Sequence, residues 1–252
     1  MQRLGIMAAV HEEIDQLLED MAGVSTHHIG MRDYHVGNLY GHSCVIVLAR
    51  MGKVAAAAST VTLLREFSVD RLVFSGLAGG VAPQVRMGDV VVGTELLQHD
   101  LDASPLFPRH EIPLLQRSRL EADEQLTRTL AAAADDYLRE AWQDEIAAPA
   151  RHSFGLADPR VHEGLIISGD QFINSAVKVQ ALSNDLPAAL CVEMEGAAVA
   201  QICHEYGARF AVVRTVSDRA DDSASHDFTR FLREVASHYS SGIIKRMLRM
   251  ME

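Results

Sequence analysis

The sequence predicts an α/β fold built on a mixed, largely parallel central sheet, and three observations lead there. Short apolar runs of strand length alternate with longer stretches of helical periodicity along the chain, the pattern of strands covered by helices. At 252 residues one hydrophobic core still serves the whole length. With neither an internal repeat nor a linker in view, residues 1–252 read as a single domain. A composition of 48% hydrophobic and 23% charged residues is globular, which excludes disordered and fibrous chains.

The first strand falls at 4–10 and a helix follows over 12–22. Further apolar runs place strands at 44–49, 71–75, 90–94, 164–168, 188–194 and 210–216. Helical periodicity falls at 54–67, 121–137 and 196–206, with Gly207 positioned to stop the last of these. The plainest helix is 227–250, where Phe228, Phe231, Leu232, Val235, Tyr239, Ile243 and Met247 recur every three or four residues, an apolar stripe that faces a core. Residues 101–119, carrying Pro105, Pro108 and Pro113, and residues 147–159 read as loops.

Charge narrows the partners. The chain has 34 Asp and Glu against 23 Lys and Arg, a formal net charge of −11, which argues against binding nucleic acid or an anionic membrane. No run reaches the ~18 apolar residues of a membrane span. His11-Glu12-Glu13 also interrupts the early apolar segment where a signal peptide would continue. Cys44, Cys191 and Cys203 lie in apolar runs without a C-x-x-C spacing, as in a reduced, cytoplasmic protein. His11, His99, His110 and His226 sit near the candidate segments below, but none has metal-ligand spacing. Neither a metal nor a cofactor is expected.

Ligands of open α/β sheets bind outside the carboxyl ends of the strands, so the residues after each apolar run are the candidates. After the first run come His11, Glu12 and Glu13. Gly76-Leu77-Ala78-Gly79-Gly80 follows Ser75 and reads as a glycine loop, either a plain tight turn or a place where backbone N–H groups approach a ligand closely. It is not the dinucleotide fingerprint. Later exits carry Ser168-Gly169-Asp170-Gln171-Phe172-Ile173-Asn174, then Glu193-Met194-Glu195-Gly196, then Ser217-Asp218.

Glu193 and Glu195 alternate with apolar residues in a stretch otherwise free of charge, so an extended chain points both to one face. Buried charge at such a place must be paired or used. Glu12 and Glu13 also suit the first turn of a helix. Asp218 also suits a turn, with Arg214 as its ion-pair partner.

Seven segments in order resemble the nucleoside phosphorylase/nucleosidase superfamily, and within it the bacterial 5′-methylthioadenosine/S-adenosylhomocysteine nucleosidases. They begin at Gly5, Gly52-Lys53-Val54, Ser75, Gly88-Asp89, Ser168, Val192-Glu193-Met194-Glu195 and Arg214-Thr215-Val216-Ser217-Asp218. The resemblance spans nearly the whole chain outside about 105–119 and 142–162. It implies a three-layer α/β/α arrangement and hydrolysis of an N-glycosidic bond that frees adenine from a 5′-thio-substituted ribose. Asp218 is then the acid to the purine, Glu13 orients the water with Arg214 nearby, and Glu195 accepts from the ribose hydroxyls. Phe172 lies on the purine face and Ile173 reads its edge. Met194, Met51 and Phe228 pack on the sugar and its 5′ substituent, with Glu193, Ala78, Gly79 and Ser217 completing the binding set. A purine nucleoside is the partner, and a homodimer is implied in which Leu106-Phe107-Pro108 reaches into the partner subunit's pocket.

Two residues depart from the family pattern. Leu77 replaces a small hydroxyl residue, and Arg50 replaces the glycine before the Gly-Lys pair. The alternatives are phosphorolysis, with Arg32 and Arg50 recruited to hold phosphate, hydrolysis of another adenine nucleoside such as aminodeoxyfutalosine, and a non-enzymatic nucleoside-binding module.

Overall fold

The computed structural model describes residues 3–220 and 224–251, apart from the side chain of His226, which lies outside the described residues together with its expected place near the site. Along the chain run β1 (Leu4–Ala8), a 3₁₀ turn (His11–Glu13), α1 (Asp15–Glu19), β2 (Ala22–Ile29), β3 (Arg32–Leu39), β4 (His42–Leu48) and α2 (Lys53–Glu66). Next come β5 (Arg71–Gly80), β6 (Val90–Gln98), β7 (Arg119–Glu121), α3 (Glu124–Glu140), α4 (Trp142–Glu145) and α5 (Ala148–Ser153). The last part holds β8 (Val161–Ser168), α6 (Ala176–Asp185), β9 (Ala189–Glu193), α7 (Gly196–Tyr206), β10 (Arg209–Asp218), α8 (Ala224–Phe231), a π-helical turn (Leu232–Ala236) and α9 (Ser237–Met250).

The fold is a mixed α/β fold on one mixed sheet. Hydrogen bonding runs β10–β6–β8–β9–β5 and returns from β5 to β10, so five strands close a ring; β1, β4, β3 and β2 extend outward from β5. Parallel pairs (β1 with β4 and β5, β5 with β10, β6 with β8, β8 with β9) and antiparallel pairs occur in equal number among the described residues. The expected parallel majority is therefore corrected, because the outer hairpins and the ring closures are antiparallel.

Strand alternation divides the apolar residues between two large clusters. Leu4, Ile6, Ala211 and Val213 join Leu130, Tyr137, Tyr239 and Met247 of α3 and α9. Their neighbours Met7, Phe210 and Val212 join Ala56 and Leu63 of α2 and Val199 and Cys203 of α7.

Other expectations change for local reasons. The helix expected at 12–22 shrinks to the 3₁₀ turn and α1, because Glu13 turns inward to the strand ends. β2 is exposed along its length, so it has no apolar run to announce it. Residues 147–159 contain α5, entered through Pro149 near its start. In the last helix the apolar positions Phe231, Val235, Tyr239, Ile243 and Met247 are four residues apart, more than the ~3.6 of an α-helix, and the π-helical turn takes up the excess. Gly207 caps α7 with φ of 67°, as the sequence implied. Among the described residues no helix is long and apolar enough to cross a membrane.

Candidate active site

At the carboxyl ends of β1, β5, β9 and β10 opens a cleft of about 660 Å³ with its open mouth included, mostly apolar with a few convergent polar groups, as small-ligand sites are. Its centre is Arg214, only 1% exposed. The guanidinium reaches Glu193 Oε2 from Nε at 3.2 Å and from Nη2 at 2.5 Å. Nη1 donates toward the carbonyls of Val213 and Phe74, and the guanidinium lies 4.1 Å from the centroid of the Phe74 ring. Burial opposes its charge, but the carboxylates of Glu193, Glu195 and Glu13 outweigh that and hold its pKa above the ordinary value.

Glu193 also accepts from the Ser168 hydroxyl and from the backbone N–H groups of Glu195 and Gly196. Its oxygens are thus engaged by the protein, and its main visible task is to pair with Arg214. β9 ends at Glu193, and Glu195 is the N-cap of α7. The two carboxyls meet at Arg214 through this turn, not through the strand pleat that alternation implied.

Glu13 ends the 3₁₀ turn and is 3% exposed. Its Oε2 accepts from the N–H groups of Ala9 (2.9 Å) and Val10 (3.2 Å), and its Oε1 from Leu77 N–H (3.1 Å). The segment read as a glycine loop is the outer half of β5, paired with β10 and, at Gly79 and Gly80, with β9. Its glycines serve close approach. A Cβ on Gly76 would lie 3.1 Å from both Arg214 Nη1 and Glu13 Oε1, and one on Gly79 would lie 2.8 Å from Ala220 Cβ and 3.0 Å from Asp218 Oδ1.

Glu195 accepts from Gly52 N–H at 2.8 Å through Oε1, while its Oε2 lies 3.9 Å from Arg214 Nη2. Asp218 follows a β-bulge after Val216, which turns its side chain toward the cleft. Its Oδ1 accepts from Ala220 N–H and its Oδ2 from the Ser217 hydroxyl, both at 2.7 Å.

Three carboxyls, Glu193, Glu195 and Glu13, thus share one buried cation. Glu13 is raised above the ordinary carboxyl range, first by burial, with Arg214 and its backbone donors acting in the opposite sense. Glu195 is raised by burial and then by the neighbouring Glu193 charge. A carboxyl whose pKa is raised on folding stabilises the fold below its unfolded value of about 4.5, and that stability drains away as pH rises toward the folded value. The ligand-free protein is therefore expected to lose melting temperature as pH rises from about 5 to about 8 through Glu195, with Glu13 acting in the same direction. Glu195→Gln keeps an acceptor for Gly52 N–H and removes the titration. It should gain on wild type across that range by a few degrees, since about 1 kcal/mol moves the melting point of such a chain by ~2–4 °C. Parallel melting curves across the pH range would dismiss the effect.

The remaining wall is apolar. Phe172 is 40% exposed and packs edge-on against Phe228, with ring centroids 5.6 Å apart. Ile173, Met194 and the exposed Met51 complete it. Of the residues expected from sequence, Glu13, Asp218, Glu195, Arg214, Phe172, Ile173, Glu193, Met194, Ala78, Gly79, Met51 and Phe228 all line the cleft. Ser217 does not; its hydroxyl is buried behind Asp218. Ala9, Val10, Gly76, Leu77, Gln171 and Val192 also line it. Their positions at strand ends were the available signal.

Leu77 enters the apolar cluster below the cleft. Arg50 adopts φ of 69° and donates to the carbonyl of Met31 at 2.6 Å, and Arg32 donates to the carbonyls of Ala49 and Gly30; neither lines the cleft. Among the described residues no group of three or more His, Cys, Asp or Glu side chains is arranged to hold a metal.

A family model described as "Phosphorylase superfamily" matches residues 3–249. A 5′-methylthioadenosine/S-adenosylhomocysteine nucleosidase of Actinobacillus succinogenes is 33% identical over 251 residues, covering 99% of this chain and 100% of the relative. The enzyme of that name from Neisseria meningitidis, solved with methylthio-immucillin-A, superposes with a TM-score of 0.85 at 30% identity, covering 100% of both chains. A futalosine hydrolase of Helicobacter pylori superposes with a TM-score of 0.84 at 28% identity, covering 99% of this chain and 98% of its own.

Proposed function

Because the chain belongs to the phosphorylase superfamily, we propose that it hydrolyses the N-glycosidic bond of 5′-methylthioadenosine and S-adenosylhomocysteine, releasing adenine and the 5′-thio-substituted ribose. The observation that carries this reading is the charge of the cleft. Among the described residues lining it there are four carboxyls and one cation, Arg214, which is already held by Glu193. An oxocarbenium-like sugar is stabilised by such surroundings, whereas phosphate is repelled by them. Nucleosidase relatives and a nucleosidase structure solved with a transition-state inhibitor support the same choice of bond.

In this reading Asp218 protonates the leaving purine, and its place beside Gly79 directs the carboxyl into the cleft. Glu13, with Arg214 at its back, orients the attacking water. Glu195 faces the ribose hydroxyls with the oxygen that Gly52 leaves free. Phe172 and Phe228 flank the purine and the 5′ end, Ile173 offers backbone to the purine edge, and Met51 and Met194 contact the thioether, for which a soft side chain is suited. Glu193 and Ser217 act one layer back, on Arg214 and on Asp218.

The same reading makes the sheet the middle of three layers, the whole chain one domain, and the protein a cytoplasmic homodimer. The outward side chains of Leu106, Met51 and Val54, exposed by 84%, 60% and 82%, support the dimer. The buried free cysteines support a reducing compartment.

Purified protein should release adenine from 5′-methylthioadenosine at the same rate with and without phosphate, leaving a free sugar. A strict need for phosphate, with sugar phosphate as product, overturns hydrolysis. The likeness to a futalosine hydrolase favours one second reading, that the preferred nucleoside carries a different 5′ substituent. Comparing kcat/KM for aminodeoxyfutalosine and 5′-methylthioadenosine separates the two.

A further inference from the structure

The cleft residues above leave unexplained why Gly52-Lys53 and Gly169-Asp170 stand beside it. Three hydrogen bonds form a closed ring there. Lys53 N–H donates to Asp170 Oδ1 at 2.8 Å, Asp170 N–H donates to Asp100 Oδ2 at 2.9 Å, and Asp100 Oδ1 accepts from Lys53 Nζ at 2.6 Å. Nζ also reaches Gln98 Oε1 at 3.1 Å. The ring joins the start of α2, the end of β6 and the segment after β8, three elements far apart in sequence.

Each end of this ring touches the cleft. Gly52, one residue before Lys53, gives its N–H to Glu195. Its φ of 96° puts it in the left-handed region, and a Cβ there would sit 3.3 Å from Asp170 Oδ1, so this tight corner favours glycine. Phe172 and Ile173 follow Asp170 by two and three residues. Asp170 also places a carboxylate on the first turn of α2, where the helix dipole favours it.

We propose that Lys53, Asp100 and Asp170 form a positioning clasp that holds Gly52 N–H against Glu195 and keeps the Phe172–Ile173 wall in register with that carboxyl. The clasp rests on the nucleosidase reading of the cleft. Its physical role follows from the two pulls on Glu195. Oε1 is drawn forward by Gly52, while Oε2 lies 3.9 Å from Arg214. Without the clasp Gly52 moves, and Glu195 closes onto the guanidinium and no longer faces the ribose. Lys53, Asp100 and Asp170 touch no reacting atom and act through Gly52 and Phe172.

The test compares wild type, Lys53→Met, Asp100→Asn and the double variant on 5′-methylthioadenosine and on its 2′-deoxy and 3′-deoxy counterparts, with melting temperatures alongside. Each single variant is expected to lose about tenfold to a hundredfold in kcat/KM on the parent nucleoside, the scale of an ångström of misplacement. The double variant should lose no more than either single one, because one ring is broken only once. The preference for the fully hydroxylated sugar should fall by about the same factor as the parent rate, since discrimination against a missing hydroxyl depends on the group built to bind it. A variant that does not fold is replaced by Asp100→Glu, which keeps the ion pair but displaces the acceptor of Asp170 N–H, and is read the same way. Unchanged kcat/KM, additive losses, or equal losses on parent and deoxy substrates overturn the clasp while leaving the nucleosidase reading in place. Failure of wild type to release adenine from the parent nucleoside overturns that reading and the clasp with it.

Discussion

Asp218→Asn is expected to fold normally, bind adenine with near wild-type affinity and turn over 5′-methylthioadenosine about a thousandfold more slowly, within the range for loss of a positioned acid. The fold should tolerate the change because Asn matches Asp in shape. Its carbonyl oxygen can still accept from Ala220 N–H. The Ser217 hydroxyl, which now donates to Oδ2 at 2.7 Å, lies 3.4 Å from the carbonyl oxygen of Ala78 and has that second acceptor when an amide replaces the carboxyl. What the amide cannot do is deliver a proton to a departing purine. Adenine release under saturating substrate gives the kinetic half of the test, and calorimetry with adenine gives the binding half. Near-normal turnover would remove Asp218 as the acid. Lost turnover together with lost binding would make it a binding group instead.

Elements with apolar faces were legible in the sequence, and those without were not. β1, β4, β8 and α7 match their expected ranges closely because each buries a continuous run or a helical stripe. β2 and β3 escaped because β2 presents its whole length to solvent and its pairing rests on backbone groups that any sequence supplies. The ring of five strands escaped because closure is a long-range matter. It depends on two residues, Gly79 and Gly80, pairing with Val192 and Cys191.

The cleft was more legible than the sheet, since carboxyls at strand exits in apolar surroundings are conspicuous. Their division of labour was not visible. Glu193 and Glu195 look alike in sequence, yet one is held by Arg214 and Ser168 and the other by Gly52. Ser217 looked like a ligand contact and instead holds Asp218. Lys53, Asp100 and Asp170 lie so far apart in the chain that only their meeting in space connects them.

The second large effect is expected at Glu13. Glu13→Gln should lower kcat by about a hundredfold to ten-thousandfold and also cost stability, unlike the change at Asp218. The difference lies in the partners. Both oxygens of Glu13 face backbone donors, Ala9 and Val10 on one side and Leu77 on the other, and a carboxylate, which only accepts, suits all three. An amide turned either way sets its NH₂ against at least one of these N–H groups. A buried donor left without an acceptor costs about 1–3 kcal/mol. Enlisting a carboxylate as base also predicts a pH signature. Burial raises the Glu13 pKa, so the base loses its charge, and kcat/KM falls, at a pH above the ordinary carboxyl value as the solution is acidified. That acid limb should vanish from the residual activity of Glu13→Gln. Rate–pH profiles and melting curves of the two proteins provide both readouts. If the limb persists unchanged in the variant, the group that titrates there is not Glu13, and the water is oriented by another residue.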